Sequence, residues 1–272
     1  MFHGRNCLLI EGKVAINSGN KLDRCQIRRA SGNLQGSWYT TNDAMNETIH
    51  YSFTTKPILE ALPERDLELF REHLTLKRIK KGRELFREGS YPKSAYMLRR
   101  GKVKLYQQGL NGSEKILYIY TPGEMFGYRP LLCHEKHPAT AVTIEESSIY
   151  VISSSDFLRT LRKSAALSNY LLENLSHEFT VLLNRIGAFA QKSVKERVAL
   201  SLLILREKYR KPDNKGEVEI SLSRTDLAAF VGTTVETIAR IVTRFKQEKI
   251  IKTRGRKIVI IDEAALDLLT DD

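Results

Sequence analysis

Cysteine is scarce in this chain: Cys7, Cys25 and Cys133 are the three among 272 residues. Their odd number and wide spacing exclude a disulfide framework and a paired CxxC metal site. Long apolar runs are missing as well. The longest, such as residues 202–205, are core-sized and fall far short of the ~18 residues of a membrane span. The run Cys7–Ile10 is too short for the apolar region of a signal peptide, so a cytoplasmic protein is expected. No nucleophile elbow, P-loop, glycine-rich dinucleotide loop or HExxH zinc motif occurs, and "GTTVET" lacks the Gly-Lys-Ser/Thr ending of a phosphate loop. An enzyme is therefore not expected. Acidic residues are in deficit, 32 against 44 basic, for a net charge of +12. That balance favours a polyanionic partner.

What is present reads as an α+β protein in four stretches. Residues 1–53 show no sustained period of two or 3.6 and read as a loose extension. A start codon assigned too far upstream would explain them, with a regulatory tail as the rival. Residues 58–73 supply Leu59, Leu62, Leu67, Leu69 and Phe70 for a short helix. Over 74–153 the chain breaks into short alternating runs, "LTLKRIK", "ELFREGS", "SAYMLRRGKVKLYQQ", "KILYIYTPGEMF" and "ATAVTIEESSIYVIS". Gly, Asn and Pro punctuate them, which predicts an antiparallel sandwich or barrel. With a helix over 154–162, this defines a domain at 54–164. A long helix follows over 165–191. Leu167, Leu171, Leu175, Leu182, Ile186 and Phe189 recur mostly three or four apart, and Leu172, Phe179 and Leu183 widen the stripe beyond one small contact. A leucine-rich seam of roughly 37 Å suits pairing with its own copy, with an intramolecular core as the alternative. Residues 192–272 hold another helix, a short strand "VEISLS", and then "LSRTDLAAFVGTTVETIARIVTRFKQEKII".

This last stretch carries the function. Ser223 with Asp226 is a capping box that starts one helix, Gly232 ends it, and Thr233 with Glu236 is read as a second box. Two helices across so short a turn make a helix-turn-helix. At roughly 100° per residue, Ile238, Ile241, Val242 and Phe245 fall on the buried arc of the second helix. Glu236, Arg240 and Thr243 fall opposite, flanked by Val235 and Ala239. Arg donates two hydrogen bonds to guanine, Glu accepts from cytosine, and Val and Ala meet a thymine methyl. Arg244 and Lys246 are in reach of phosphates. A Glu and an Arg four apart are more often a surface ion pair. Against that stands the charge of residues 192–261, with 17 lysines and arginines against 8 acids. "IIKTRGRKIVIID" completes the region as a basic wing around Arg254-Gly255-Arg256.

The order of elements, with "VGTTVETIAR", "KKGRELFREGS", "LRRGKVKLYQQ" and "PGEMFG", resembles the Crp/Fnr family of bacterial transcription regulators over residues 58–269. The resemblance implies a cyclic-nucleotide-binding-like β-roll, a long dimerisation helix and a winged helix-turn-helix. It implies a homodimer on double-stranded DNA, with recognition helices in successive major grooves of a palindromic site. RNA polymerase is expected as a further partner. Val235, Glu236, Ala239 and Arg240 are the expected base readers. Ser223, Arg224 and Thr225 match family positions near the DNA backbone, and Thr234, Thr243, Arg244, Arg254 and Arg256 complete that set.

The sensor cassette "PGEMFGYRPLLCHEKHPATA" departs from the cyclic-nucleotide binders. Gly123 and Gly127 are kept. Tyr128 stands where the ribose-binding Glu belongs, and Pro138-Ala139 where an Arg-Ser pair holds the phosphate. Gly123, Glu124, Gly127, Tyr128, Arg129, Pro138, Ala139 and Thr140 are the candidate effector pocket, and tight cyclic-AMP binding is not expected. Three cysteines exclude a four-cysteine iron–sulfur cluster, leaving the cofactor unknown. "CHEKH" (Cys133, His134, His137) reads as a solvated loop, and no metal is assigned. The competing function is a ligand-binding regulatory module that does not read DNA.

Overall fold

The computed structural model describes residues 7–10, 13–16, 51, 56–210 and 217–270. The chain divides into two compact units, 1–45 and 46–272. The first contains an antiparallel hairpin, β1 (Cys7–Ile10) against β2 (Lys13–Ile16). The reading of a patternless extension missed it. Four-residue strands are shorter than any window in which a period shows, and the two-residue link "EG" is the one turn signal there. The rest of that extension lies outside the described residues.

In the second unit the expected helix over 58–73 is two, α1 (Ile58–Ala61) and α2 (Glu64–Arg71). Pro63 separates them. It bars the helical conformation at Leu62, whose φ, ψ of −90°, 146° are extended.

Eight strands follow: β3 (Thr75–Ile79), β4 (Glu84–Phe86), β5 (Ser94–Arg100), β6 (Val103–Gln108), β7 (Glu114–Tyr120), β8 (Met125–Phe126), β9 (Thr140–Thr143) and β10 (Ser147–Ser153). They build two antiparallel sheets, ordered β3-β10-β5-β8 and β4-β9-β6-β7. Leu98, Val103, Tyr118, Tyr120, Phe126 and Ile149 fill the space between them. A short helix, α3 (Arg129–Cys133), interrupts the roll where the sequence reading named no element. Pro130 suits its first turn because the missing N–H has no helical partner there anyway.

Ser153 caps α4 (Ser154–Lys163), and Ser164 caps α5 (Ala165–Gln191) by accepting the Leu167 N–H at 3.0 Å. Ile58, Phe70, Met97, Ile152, Phe157, Leu167 and Leu171 form a second core, where these helices cover the outer face of the roll. Further along, α5 buries Val181 and Ala188 on one side only.

Then α6 (Val194–Tyr209) opens on a reciprocal capping box between Ser193 and Glu196. α7 (Arg224–Val231), α8 (Val235–Gln247) and α9 (Glu263–Leu268) share a third core with it, built on Leu202, Leu205, Leu227, Ile238, Phe245 and Ile258. β11 (Glu219–Ile220), β12 (Ile251–Arg254) and β13 (Lys257–Ile260) pair in the order β11-β13-β12, with β12–β13 as the wing. β7 joins roll to helices. Its Tyr118 and Tyr120 lie in the roll core, while Ile116 and Ile119 lie in the helical core. Among the described residues no helix is long and apolar enough to cross a membrane.

Candidate nucleic-acid interface and sensor cassette

The turn between α7 and α8 is built as its sequence dictates, with one shift. Ser223 accepts the Asp226 N–H at 2.9 Å, and Gly232 takes the left-handed φ of 74° that closes α7. The second cap is not Thr233 with Glu236. Thr234 caps α8, accepting the Thr237 N–H at 3.2 Å. The Thr233 N–H bonds back to the Ala228 carbonyl at 3.0 Å, which keeps Thr233 in the turn and moves the cap by one, and threonine at both positions hid the difference in sequence.

Ile238, Ile241, Val242 and Phe245 are buried, as the angular layout requires. Val235, Glu236, Ala239, Arg240, Thr243 and Arg244 are exposed. Glu236 and Arg240 form no ion pair with each other or with any other described residue. Its own backbone N–H, and then the Thr234 hydroxyl, hold the Glu236 carboxyl below the usual carboxylate range, so it is present as an acceptor. Arg244 is engaged, donating to Glu248 at 2.8 Å, and the Thr243 hydroxyl donates back to the Ala239 carbonyl at 2.8 Å. Ser223 and Thr225 are exposed at the start of α7. Arg224 is half-buried, which lowers its pKa, and one guanidinium nitrogen has no hydrogen-bond partner among the described residues. On the wing Arg256 has no ion pair among the described residues, while Arg254 is bonded to Glu217 and Glu219 at 2.8 and 3.2 Å.

The eight cassette residues do not converge on one cavity. Gly123 is left-handed and donates its N–H to the Leu98 carbonyl at 2.7 Å. Glu124 turns toward α6. It accepts from Tyr118, from Thr121 and from the Lys208 ammonium at 2.7 Å. Lys208 is almost fully buried, so burial pulls its pKa down while Glu124 holds it up. Arg129 turns toward α5, donating from Nε to Glu178 at 2.8 Å. Burial opposes the Arg129 charge, but Tyr120, Glu178 and Tyr128 outweigh it and raise its pKa. Tyr128 is core, packed near Phe157. Pro138 accepts from Gln107, Ala139 is fully buried, and the Thr140 hydroxyl accepts the Glu88 N–H.

Between the sheets runs a ladder of rings: Phe86, Tyr96, Phe126, Tyr120 and Tyr118, with successive centroids 5.7, 5.4, 4.6 and 4.8 Å apart. It explains Gly127. A Cβ there would lie 2.8 Å from the Tyr96 ring. His137 corrects the reading of "CHEKH" as solvated loop. It is buried and stacks on Phe86 at 3.8 Å, whereas Cys133 is exposed and His134 is a left-handed helix cap. Among the described residues no three His, Cys, Asp or Glu side chains gather as metal ligands.

Sequence reasoning passed over Glu178, Arg185 and Lys208. Arg185 donates to the Leu117 carbonyl at 3.0 Å and lies over Phe230 at 5.0 Å, tying α5 to β7 and α7. Burial lowers its pKa to about 10. A signal existed. Glu178 and Arg185 fall on the helix face of Leu171, Val181 and Ala188, and a charge on a buried face requires a partner.

A roll, a long helix and a helix-turn-helix with an exposed polar recognition face together define a DNA-binding transcription regulator. Comparison with known proteins gives the family. The cyclic nucleotide-binding domain model matches residues 76–164, and the Crp-like helix-turn-helix model matches residues 196–269. The chain is 28% identical over 189 residues to the transcriptional activator protein Anr of Pseudomonas protegens, covering 69% of this chain and 77% of that one. It is 25% identical over 210 residues to the cyclic AMP receptor protein of Thermus thermophilus, covering 77% of this chain and 94% of that one. Among solved structures, FixK2 from Bradyrhizobium japonicum shares the fold with a TM-score of 0.65, at 22% identity, over 72% of this chain and 96% of that one. The chain belongs to the Crp/Fnr family of DNA-binding transcription regulators.

Proposed function

We propose that the protein binds a palindromic operator as a homodimer, each α8 reading one half-site with Glu236 and Arg240, and that its effector is not cyclic AMP. The observation that carries the reading is the pair of unpaired, opposite charges on the exposed face of α8, flanked by Val235 and Ala239. Such a face suits base edges in the major groove. Ser223, Arg224, Thr225, Thr234, Thr243, Arg244, Arg254 and Arg256 are assigned to the DNA backbone around it.

Pairing is supported by α5. Leu172, Phe179 and Ile186 recur every seven residues and are 65%, 62% and 66% exposed, with Leu182 and Leu183 between them. A seven-residue apolar repeat left in solvent suits a coiled coil with a second copy. Phe179→Glu with Ile186→Glu is expected to give a monomer by sedimentation, and a dimeric double variant overturns the seam.

The aromatic ladder fills the space between the sheets, and the one cassette arginine, Arg129, is bonded to Glu178. Neither leaves a cation for a cyclic phosphate. Cyclic AMP at millimolar concentration is expected to leave the melting temperature unchanged, since stabilisation follows occupancy. A rise overturns this part. The role is regulatory rather than catalytic, exercised in the cytoplasm together with RNA polymerase. A gel shift on a duplex with palindromic TTGAT-like half-sites tests the whole. Failure to prefer it over a random duplex, together with loss-free Arg240→Ala, favours a module that does not read DNA.

A further inference from the structure

Among the described residues of the wing, every cation but Arg256 is held by a carboxylate from the strand segment beside it. Glu217 takes Lys252 and the Arg254 Nη2 at 2.8 Å. Glu219 takes the Arg254 Nη1 at 3.2 Å and Lys257. The two carboxylates thus bridge three cations across β11, β13 and β12. Hydrogen bonds from Lys252 to Glu217, and from Lys257 and Arg254 to Glu219, hold both carboxyls below the usual range. Exposed pairs of this kind add little to folding. Their effect is on what the cations are free to bind. Two oxygens shared between two cations is also how a phosphate engages basic side chains.

We propose that Glu217 and Glu219 are specificity-determining residues, a phosphate-mimicking clamp that keeps Lys252, Arg254 and Lys257 from gripping DNA of arbitrary sequence. Binding at the wing becomes an exchange. Each cation gives up a carboxylate to gain a phosphate, and two bare carboxylates are left beside the DNA backbone. Non-specific binding is almost wholly electrostatic, so it carries that cost unrelieved. On the operator, base contacts from Glu236 and Arg240 offset it. The clamp therefore widens the gap between operator and random DNA. This inference rests on the proposed docking of the wing against the DNA backbone.

The test uses the full chain, fluorescence anisotropy, an operator duplex and a random duplex, across a potassium chloride series. Glu217→Gln with Glu219→Gln is expected to tighten random-duplex binding and to narrow the operator preference. It should steepen log K against log salt by about 0.9 for each cation released. Glu60→Gln with Glu68→Gln makes the same change in net charge on the exposed faces of α1 and α2, and should move random binding less. Arg254→Ala should cost little in the native background and clearly more once the carboxylates are gone. Equal effects of the two glutamine pairs, or an equal cost of Arg254→Ala in both backgrounds, overturn the clamp. Arg256→Ala separates the two levels. If it weakens binding to both duplexes, the wing meets DNA and a failed clamp stands alone. If it changes nothing, the docking itself is wrong and the clamp falls with it.

Discussion

Glu236 and Arg240 stand unpaired on the recognition helix, whereas Glu124 and Arg129 in the roll are each bonded to a helix behind them, to Lys208 and to Glu178. Both regions carry a glutamate and an arginine a few residues apart, and sequence marks both as candidate sites. Burial separates them. On α8 the charges sit in water on a rigid element whose other face is core, so they are available to a partner. In the cassette Glu124 is largely withdrawn from water and Arg129 partly so, and the fold supplies a counterion to each. The cassette's polar groups therefore serve cohesion between roll, α5 and α6, and the charges of α8 are the ones open to the proposed recognition role.

The sharpest way to break the comparison is to neutralise one glutamate from each region. Glu124→Gln leaves the Lys208 ammonium almost fully buried without its carboxylate. Loss of about 3–5 kcal/mol is expected from removing one member of a buried pair. Urea unfolding reads it directly, and Lys208→Met added to Glu124→Gln should recover much of the loss. Glu236→Gln should leave the unfolding midpoint in place and change DNA selectivity alone. Comparable destabilisation by both substitutions would show that exposure does not distinguish the sites.

Next in size is Arg240→Ala, expected to cost about 1–3 kcal/mol on the operator and far less on a random duplex. The matching change in the cassette, Arg129→Ala, is expected to destabilise the fold by stranding Glu178, with operator selectivity preserved in the folded fraction. Removing a cap is smaller again. Thr234→Ala should lower stability by about 1 kcal/mol, and Thr233→Ala by clearly less, because Thr234 makes the bond to the Thr237 N–H.

The legibility of these regions in sequence follows the same division. The architecture and the outward and buried arcs of α8 were readable because a 3.6-residue period and a glycine turn are local signals. The partners of Glu124, Arg129 and Arg254 were not, since Lys208, Glu178, Glu217 and Glu219 lie far off in sequence or across a sheet. Net charge was a weaker guide than it first looked. Residues 192–261 carry 17 basic residues against 8 acidic, but residues 76–104 on the roll carry 11 against 2, the same excess in less than half the length. Basic composition favours a polyanionic partner, and under the proposed reading the unpaired face of α8 is where it is met. The helix break at Pro63 was visible in sequence, yet the apolar spacing on both sides obscured it.

His137 carries the comparison into pH. Sequence placed it in a solvated loop beside His134, but its ring is buried against Phe86, and its backbone N–H donates to the Ser90 carbonyl at 2.9 Å. Burial lowers its pKa below the ordinary histidine value. Between that lowered value and the unfolded one near ~6.5, the unfolded chain binds more protons than the folded one, so stability falls as pH drops through this window. Melting temperatures from pH 7.5 down to 5.5 should show the decline. His137→Leu should flatten it, while His134→Leu, on an exposed residue, should leave it as it is. Parallel curves for the native chain and His137→Leu would mean that the imidazole is no better shielded from solvent than its neighbour, and that the roll, like α8, leaves a titrating group open to water.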